Sequence, residues 1–318
     1  MKKLANFVKN YSTLIIIFVG LITLVLGYYA MQIEIEAGIK DMLPEDNKVV
    51  ERYDRVFDTF GGGMAYAVVM LEDDEIIDRP TLKKIDQISS ELKEIEGVDD
   101  VKSLTTIEKI KGSLTGIEVK NFVKNIPQSQ SEAKEIKQDL LSHDQYLGKI
   151  VTEDFKSTVL LADIKDRNKP EEVVDKIQKA VMKYEGPEKI NTTGSPVMVA
   201  DATDYMKQDL KQLLPFVIAI ILLILYVSFR SIRGVLLPIS TVLISVVWAV
   251  GLQSVLGKSL SLVSTVLPVL LVSVGSAYAI HIVARYYEEL KDGADIYRAV
   301  ENTIKKVGLA VIMAGGTT

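Results

Sequence analysis

The chain has 318 residues and a net charge of −5 at pH 7, with 48% hydrophobic and 25% charged residues. It has no cysteine and two histidines, which excludes disulfide frameworks, thiolate metal sites and cysteine nucleophiles, and leaves too few imidazoles for a histidine-rich metal site. There is no basic stripe of the kind nucleic-acid binding needs. No cofactor, metal or nucleic-acid partner is expected.

The apolar residues are segregated. Four blocks, residues 12–31, 212–229, 234–256 and 259–284, carry no Asp, Glu, Lys or Arg and are long enough to cross a hydrocarbon core of about 30 Å as helices. Residues 1–11 precede the first block and carry Lys2, Lys3 and Lys9. That start resembles a signal peptide, but the apolar run is longer than a signal's core and no small-x-small cleavage site precedes Gln32, so an uncleaved anchor is expected. Lys2, Lys3 and Lys9, then Arg230 and Arg233, then Arg285 all fall on one side of the expected spans, with Lys258 alone opposite. The positive-inside rule makes the lysine- and arginine-bearing side cytoplasmic and residues 32–211 extracytoplasmic.

Within 32–211 strand and helix periodicities alternate. Ala65–Leu71 reads as a strand; Asp78 is a plausible N-cap, Pro80 sits in a first turn, and Leu82, Ile85, Ile88, Leu92 and Ile95 share one helix face. Gly97 ends that helix and Val98–Leu104 reads as a second strand. After a helical connection over Ser131–Ser142 the pattern recurs. Ser157–Ile164 is a strand, Pro170 opens a helix with Val173, Ile177, Ala180, Val181 and Tyr184 on one face, Gly186-Pro187 stops it, and Lys189–Thr193 is a short strand. Two βαβ units imply an α+β (βαβ, ferredoxin-like) domain with helices on one face of a sheet. The strand order does not follow from periodicity.

The fourth apolar block reads as one helix over Ser259–Arg285 with Pro268 in its middle, where a proline kinks a helix. Residues 285–306 read as a charged, amphipathic cytoplasmic segment. Residues 307–318 are apolar but too short to cross, so they are expected to be the start of a truncated fifth span. The chain is therefore expected to be an N-terminal fragment of a multi-pass α-helical membrane protein with an extracytoplasmic α+β domain.

Four stretches carry a resemblance: DMLPEDNKVVERYDRVFDTFGGG after the first span, TGSPVMVADATDYMKQDLKQLLP entering the second, FRSIRGVLLPISTV between the second and third, and VGSAYAIHIVARYYEEL closing the fourth. In that order the chain resembles the RND (resistance-nodulation-division) superfamily of exporters, in the hydrophobe/amphiphile efflux branch related to mycobacterial membrane lipid transporters. The resemblance implies two tandem repeats of six helices, a porter domain between the first two helices of each, and proton-driven export of lipids, drugs or other amphiphiles. The implied partners are the bilayer, a hydrophobic or amphiphilic substrate, a second repeat of the same protein and, in some assemblies, further copies of the chain. It also implies an Asp-Tyr pair in the fourth helix, and the matching residues here are Ala277-Tyr278.

The spans contain no carboxylate. His281 follows Ala277 by one turn and precedes Arg285 by one turn, about 6 Å from each along the axis. Tyr278 and His281 are the proton-relay candidates, His281 because imidazole titrates near neutral pH; the plainer alternatives are a packing tyrosine and an interfacial histidine. Gly275, Ser276 and Ala277 are expected to serve close helix packing. The acidic run Glu72–Glu75 reads as a solvated loop, and Gly61-Gly62-Gly63 lacks the context of a phosphate loop. His143 and His281 are expected on opposite sides of the membrane, which leaves no catalytic triad, so the chain does not read as an enzyme. A non-transporting receptor or regulator of sterol-sensing type, or a Sec-type protein-export accessory, are the alternatives to an exporter.

Overall fold

The computed structural model describes residues 2–38, 47–60, 66–113, 116–123, 125–165 and 170–317. The Gly61-Gly62-Gly63 turn and most of DMLPEDNK lie outside the described residues. The chain divides into two compact units, Pro44–Ala202 and the remainder, Met1–Leu43 with Thr203–Thr318.

In the first of these, helix α2 (Lys48–Phe60) precedes a sheet of four strands, β1 (Tyr66–Glu72), β2 (Val98–Lys102), β5 (Ser157–Ile164) and β6 (Lys189–Thr193), in the order β2-β5-β1-β6. Every neighbouring pair is antiparallel. The strands of each βαβ unit are therefore split: β5 lies between β1 and β2, and β1 lies between β5 and β6. Helix α3 (Arg79–Lys93) bridges the first pair and α5 (Pro170–Met182) the second. The Asp78 side chain caps α3 by accepting from the Thr81 N–H at 2.9 Å. Leu82, Ile85, Ile88 and Leu92 of α3 are almost fully buried, as are Val173, Val174 and Ile177 of α5 and the inward residues Ala67, Val69, Leu71, Leu160 and Ala162 of the strands. Gly97 adopts φ 101°, a conformation that costs glycine little and lets β2 begin.

Between β2 and β5 lie a hairpin, β3 (Glu108–Ser113) and β4 (Gly116–Asn121), and helix α4 (Gln130–Leu141). Periodicity places α4 within a residue or two but overlooks the hairpin, whose β3 sequence EKIKGS holds a single large apolar residue, Ile110.

The second unit is helical. Helix α1 (Lys2–Ala30) breaks regular geometry at Tyr11, which has φ −120° and ψ 20°. Helix α6 (Ser195–Phe229) starts well before residue 212; Val197 and Ala200 belong to the soluble core, and the boundary between the units falls inside this helix. A two-residue turn leads to α7 (Ile232–Val255): Arg230 takes the left-handed φ 46°, and the Ser231 hydroxyl accepts the Gly234 N–H. Helix α8 (Leu267–Lys291) and α9 (Ile296–Thr317) complete the unit. Among the described residues four helices, Asn6–Ala30 within α1, α6, α7 and Ser264–Lys291, are long and apolar enough to cross a membrane.

Two expectations change. Pro268 is not mid-helix: α8 begins at Leu267, after a 3₁₀ turn at Ser264–Val266, so the proline occupies the first turn, where its missing N–H costs nothing and no kink follows. The charged stretch 285–306 is not one segment either. Residues 285–291 continue α8, and 296–317 form a single helix in which the amphipathic and apolar parts are continuous.

Candidate functional site

Helix α8 presents different faces along its length. Val272 is fully buried and Ser276 nearly so, and a Cβ added at Gly275 would stand 3.5 Å from a Val242 methyl, an ordinary contact distance. Gly275 thus faces α7, and the Ser276 hydroxyl donates to the Ser273 carbonyl at 2.7 Å rather than across the helices. Ala277 and His281 are exposed, on the side away from that contact, while Tyr278 is half-buried. The structure therefore separates the small residues, Gly275 at the α7 seam, Ser276 buried and Ala277 on the open face, and places His281 on the same open face as Ala277.

One turn beyond His281 the helix meets α9 in a polar node. The Glu289 side chain is 7% exposed and accepts from three donors: the Arg285 guanidinium one turn earlier, Lys306 Nζ at 2.7 Å and Asn302 Nδ2 at 2.8 Å. Arg285 also pairs with Glu288 at 2.8 Å, and its Nε is buried without a hydrogen-bond partner among the described residues. Ala299 and Thr303 of α9 are buried on the same face as Asn302 and Lys306, at spacings of three and four. Sequence reasoning missed Glu289 because it ended the span at the first charge. The signal was present in the i, i+4 pair Arg285/Glu289 and in Asn302 and Lys306, four residues apart on α9.

A second internal contact links α1 and α7. A Cβ at Gly251 would fall on the Leu26 carbonyl oxygen and within 2.8 Å of the Leu26 Cβ, so the two backbones touch there. Trp248 Nε1 donates to Thr23 Oγ1 at 2.9 Å along the same seam.

In the soluble unit the acidic run is engaged in structure. Asp73 accepts from the Thr81 hydroxyl at 2.7 Å and Glu75 pairs with Lys137. Among the described residues no group of three His, Asp or Glu is placed to hold a metal ion. His143 sits at the end of α4, its Nδ1 2.7 Å from the Asp139 carbonyl and its ring edge-on to Phe122. A groove of 820 Å³ lies by the first turns of α3 and α4, lined by Ile77, Arg79, Lys134 and Lys137 among others.

A split-strand α/β unit inserted between the first and second of four apolar helices defines a multi-pass membrane protein with a large domain outside the spans. The MMPL family model matches residues 41–318, and the chain belongs to that family, within the RND superfamily. Over its whole length it is 26% identical to a protein of Methanocaldococcus jannaschii named as a membrane protein, of which the match covers 82%. Over 40% of the chain it is 31% identical to the sulfolipid-1 exporter MmpL8 of Mycobacterium tuberculosis and 30% identical to the acyltrehalose exporter MmpL10 of the same species. The chain spans only 12% and 13% of those two exporters.

Proposed function

We propose that this protein exports hydrophobic or amphiphilic molecules, lipids among them, as an RND-type secondary transporter. The observation that carries the reading is the family match, which runs through both the soluble unit and the helices after it. In this reading the β2-β5-β1-β6 unit is a ferredoxin-like porter domain on the extracytoplasmic side, and the continuous helix α6 carries movement between the spans and that domain. Transport is proton-coupled, with Tyr278 and His281 as relay groups and Gly275 and Ser276 as close-packing positions; a second repeat of the same protein supplies the carboxylate that Ala277 lacks. Membrane-embedded transport explains the charge-free spans better than catalysis does.

The test is reconstitution of the full chain in vesicles loaded with a fluorescent phospholipid, followed with and without an imposed pH gradient. Gradient-dependent lipid efflux is expected, with His281→Phe reducing it at least tenfold. Efflux that ignores the gradient would remove proton coupling, and no efflux of any lipid or amphiphilic dye would favour a receptor or regulator over an exporter.

A further inference from the structure

A polar group bonded across two helices lies outside the relay candidates, where α8 turns into α9. We infer that Glu289 is a positioning residue that welds α8 and α9 into one rigid hairpin, so that the two helices move as a single body during transport. This inference rests on the export reading, because it says which parts of the exporter move together.

Three observations converge on it. The carboxylate is removed from solvent and is neutralised by a cation on each helix, Arg285 and Lys306, with Asn302 donating to its second oxygen. A covered charge with partners on both helices resists separation, because pulling the helices apart strips it of the donors that compensate it, although Lys306 itself is half-exposed. The seam beside it is closely packed: Ala299 is fully buried and small enough for near approach, and the Thr303 hydroxyl is satisfied within α9 by the Ala299 carbonyl at 2.7 Å.

The connection offers no slack. The Asp292, Gly293 and Ala294 N–H groups donate to the Glu288, Leu290 and Glu289 carbonyls, and Gly293 adopts φ 89°. The Asp295 side chain then accepts from the Tyr297 and Arg298 N–H groups at the start of α9. A loop free to hinge would leave such backbone groups to water. Both the turn and the node above it are bonded, so the hairpin is held at two heights. Because α8 also carries Tyr278 and His281, α9 becomes the lever that fixes their depth and rotation.

The chain's lack of cysteine makes the experiment direct. Ala299→Cys places a lone thiol in the α8–α9 seam of the full-length protein, and Thr303→Cys, nearly isosteric, does so if the first variant folds poorly. With Glu289 intact, modification by a water-soluble maleimide in vesicles is expected to be slow at rest and equally slow during lipid efflux. Glu289→Ala is expected to speed labelling at least tenfold and to cut efflux. Glu289→Gln keeps the shape and falls between, and the exchange Glu289→Lys with Lys306→Glu restores part of both. Fast labelling during efflux in the Glu289 protein, or Glu289→Ala with unchanged labelling, would overturn the inference. If no variant moves lipid, the export reading fails, while labelling at rest still decides whether Glu289 closes the seam.

Discussion

The two units use the same apolar residue types in opposite ways. In the soluble unit Leu71, Leu82, Ile85, Leu92 and Leu160 are fully buried, and the strands alternate inward and outward positions. In the helical unit Ile16, Ile17, Phe18, Leu21 and Leu24 of α1 and Leu223 and Val227 of α6 are each at least 60% exposed. Water drives the first arrangement, since every apolar area removed from it lowers the free energy. The second suits a solvent of acyl chains, which gives apolar side chains no reason to leave it and leaves association to close backbone contact and polar links. The soluble unit is accordingly held by a broad core, and the helical unit by a small apolar cluster of Ile221, Leu225, Ile239, Val242 and Val272 together with specific points: Gly251 on Leu26, Trp248 on Thr23, and the Glu289 node.

The contrast breaks most visibly if a core side chain is shortened. Leu82→Ala empties a fully buried site between α3 and the sheet, and is expected to cost about 2–5 kcal/mol, the range for such truncations. Hydrogen exchange on the full chain in detergent should show β1, α3 and β5 losing protection while α7 and α8 keep theirs. Equal loss in both units would mean that they unfold as one.

A smaller effect is expected at the α1–α7 contact. Gly251→Val drives a branched side chain into the Leu26 backbone, and overpacking of this kind costs about 1–3 kcal/mol. Trp248 is the only tryptophan, so its emission reports this seam without labelling. Separation of the helices should shift and broaden that emission as the bond to Thr23 is lost. An unchanged spectrum together with wild-type thermal stability would show that α1 and α7 do not depend on this approach.

The soluble unit was the more legible of the two for the same reason. An aqueous core imposes periods of two and 3.6, so Asp78, Pro80, Gly97, Pro170 and the apolar faces they bracket could be read almost to the residue. The order β2-β5-β1-β6 could not, because antiparallel neighbours distant in sequence leave no local trace. In the helical unit, length and absence of charge located the spans, but a run apolar all round does not show which side meets a neighbour. Hence Gly251 went unnoticed while Ala277, equally small, points outward. The turn in FRSIRG shows the same limit: the strain at Arg230 and the closeness of Gly234 to Phe229, whose Cβ would lie 2.6 Å from an added one, belong to tertiary geometry. Glu289 is invisible to a rule that ends a span at its first charge, because pairing with α9 allows the helix to carry that charge further.

The smallest expected effect separates two carboxylates within the soluble unit. Glu91 on α3 accepts from Lys183 Nζ at 2.5 Å and from the Tyr184 hydroxyl at 2.8 Å, and these donors hold its carboxyl below the ordinary value. Its contribution to stability is therefore complete above the ordinary carboxylate range and is lost as the pH falls through the lowered value. Asp163, opposite Tyr66 on the sheet, is pushed the other way, first by burial and then by the charge of Asp99. A raised carboxyl stabilises the fold only below its ordinary value, and that benefit disappears as the pH rises through the raised one, so the ionised Asp163 is a cost at neutrality. Asp163→Asn is expected to raise the melting temperature at pH 7 by no more than about 3 °C, the scale of a change below 1 kcal/mol, and to give no gain at pH 3. Glu91→Gln should lower it at pH 7 and lose most of that effect in acid. Thermal unfolding of the full chain followed by circular dichroism at the two pH values distinguishes them, and Asp163→Asn without effect at pH 7 would mean that solvent reaches that carboxylate and its partly buried place on β5 carries no penalty.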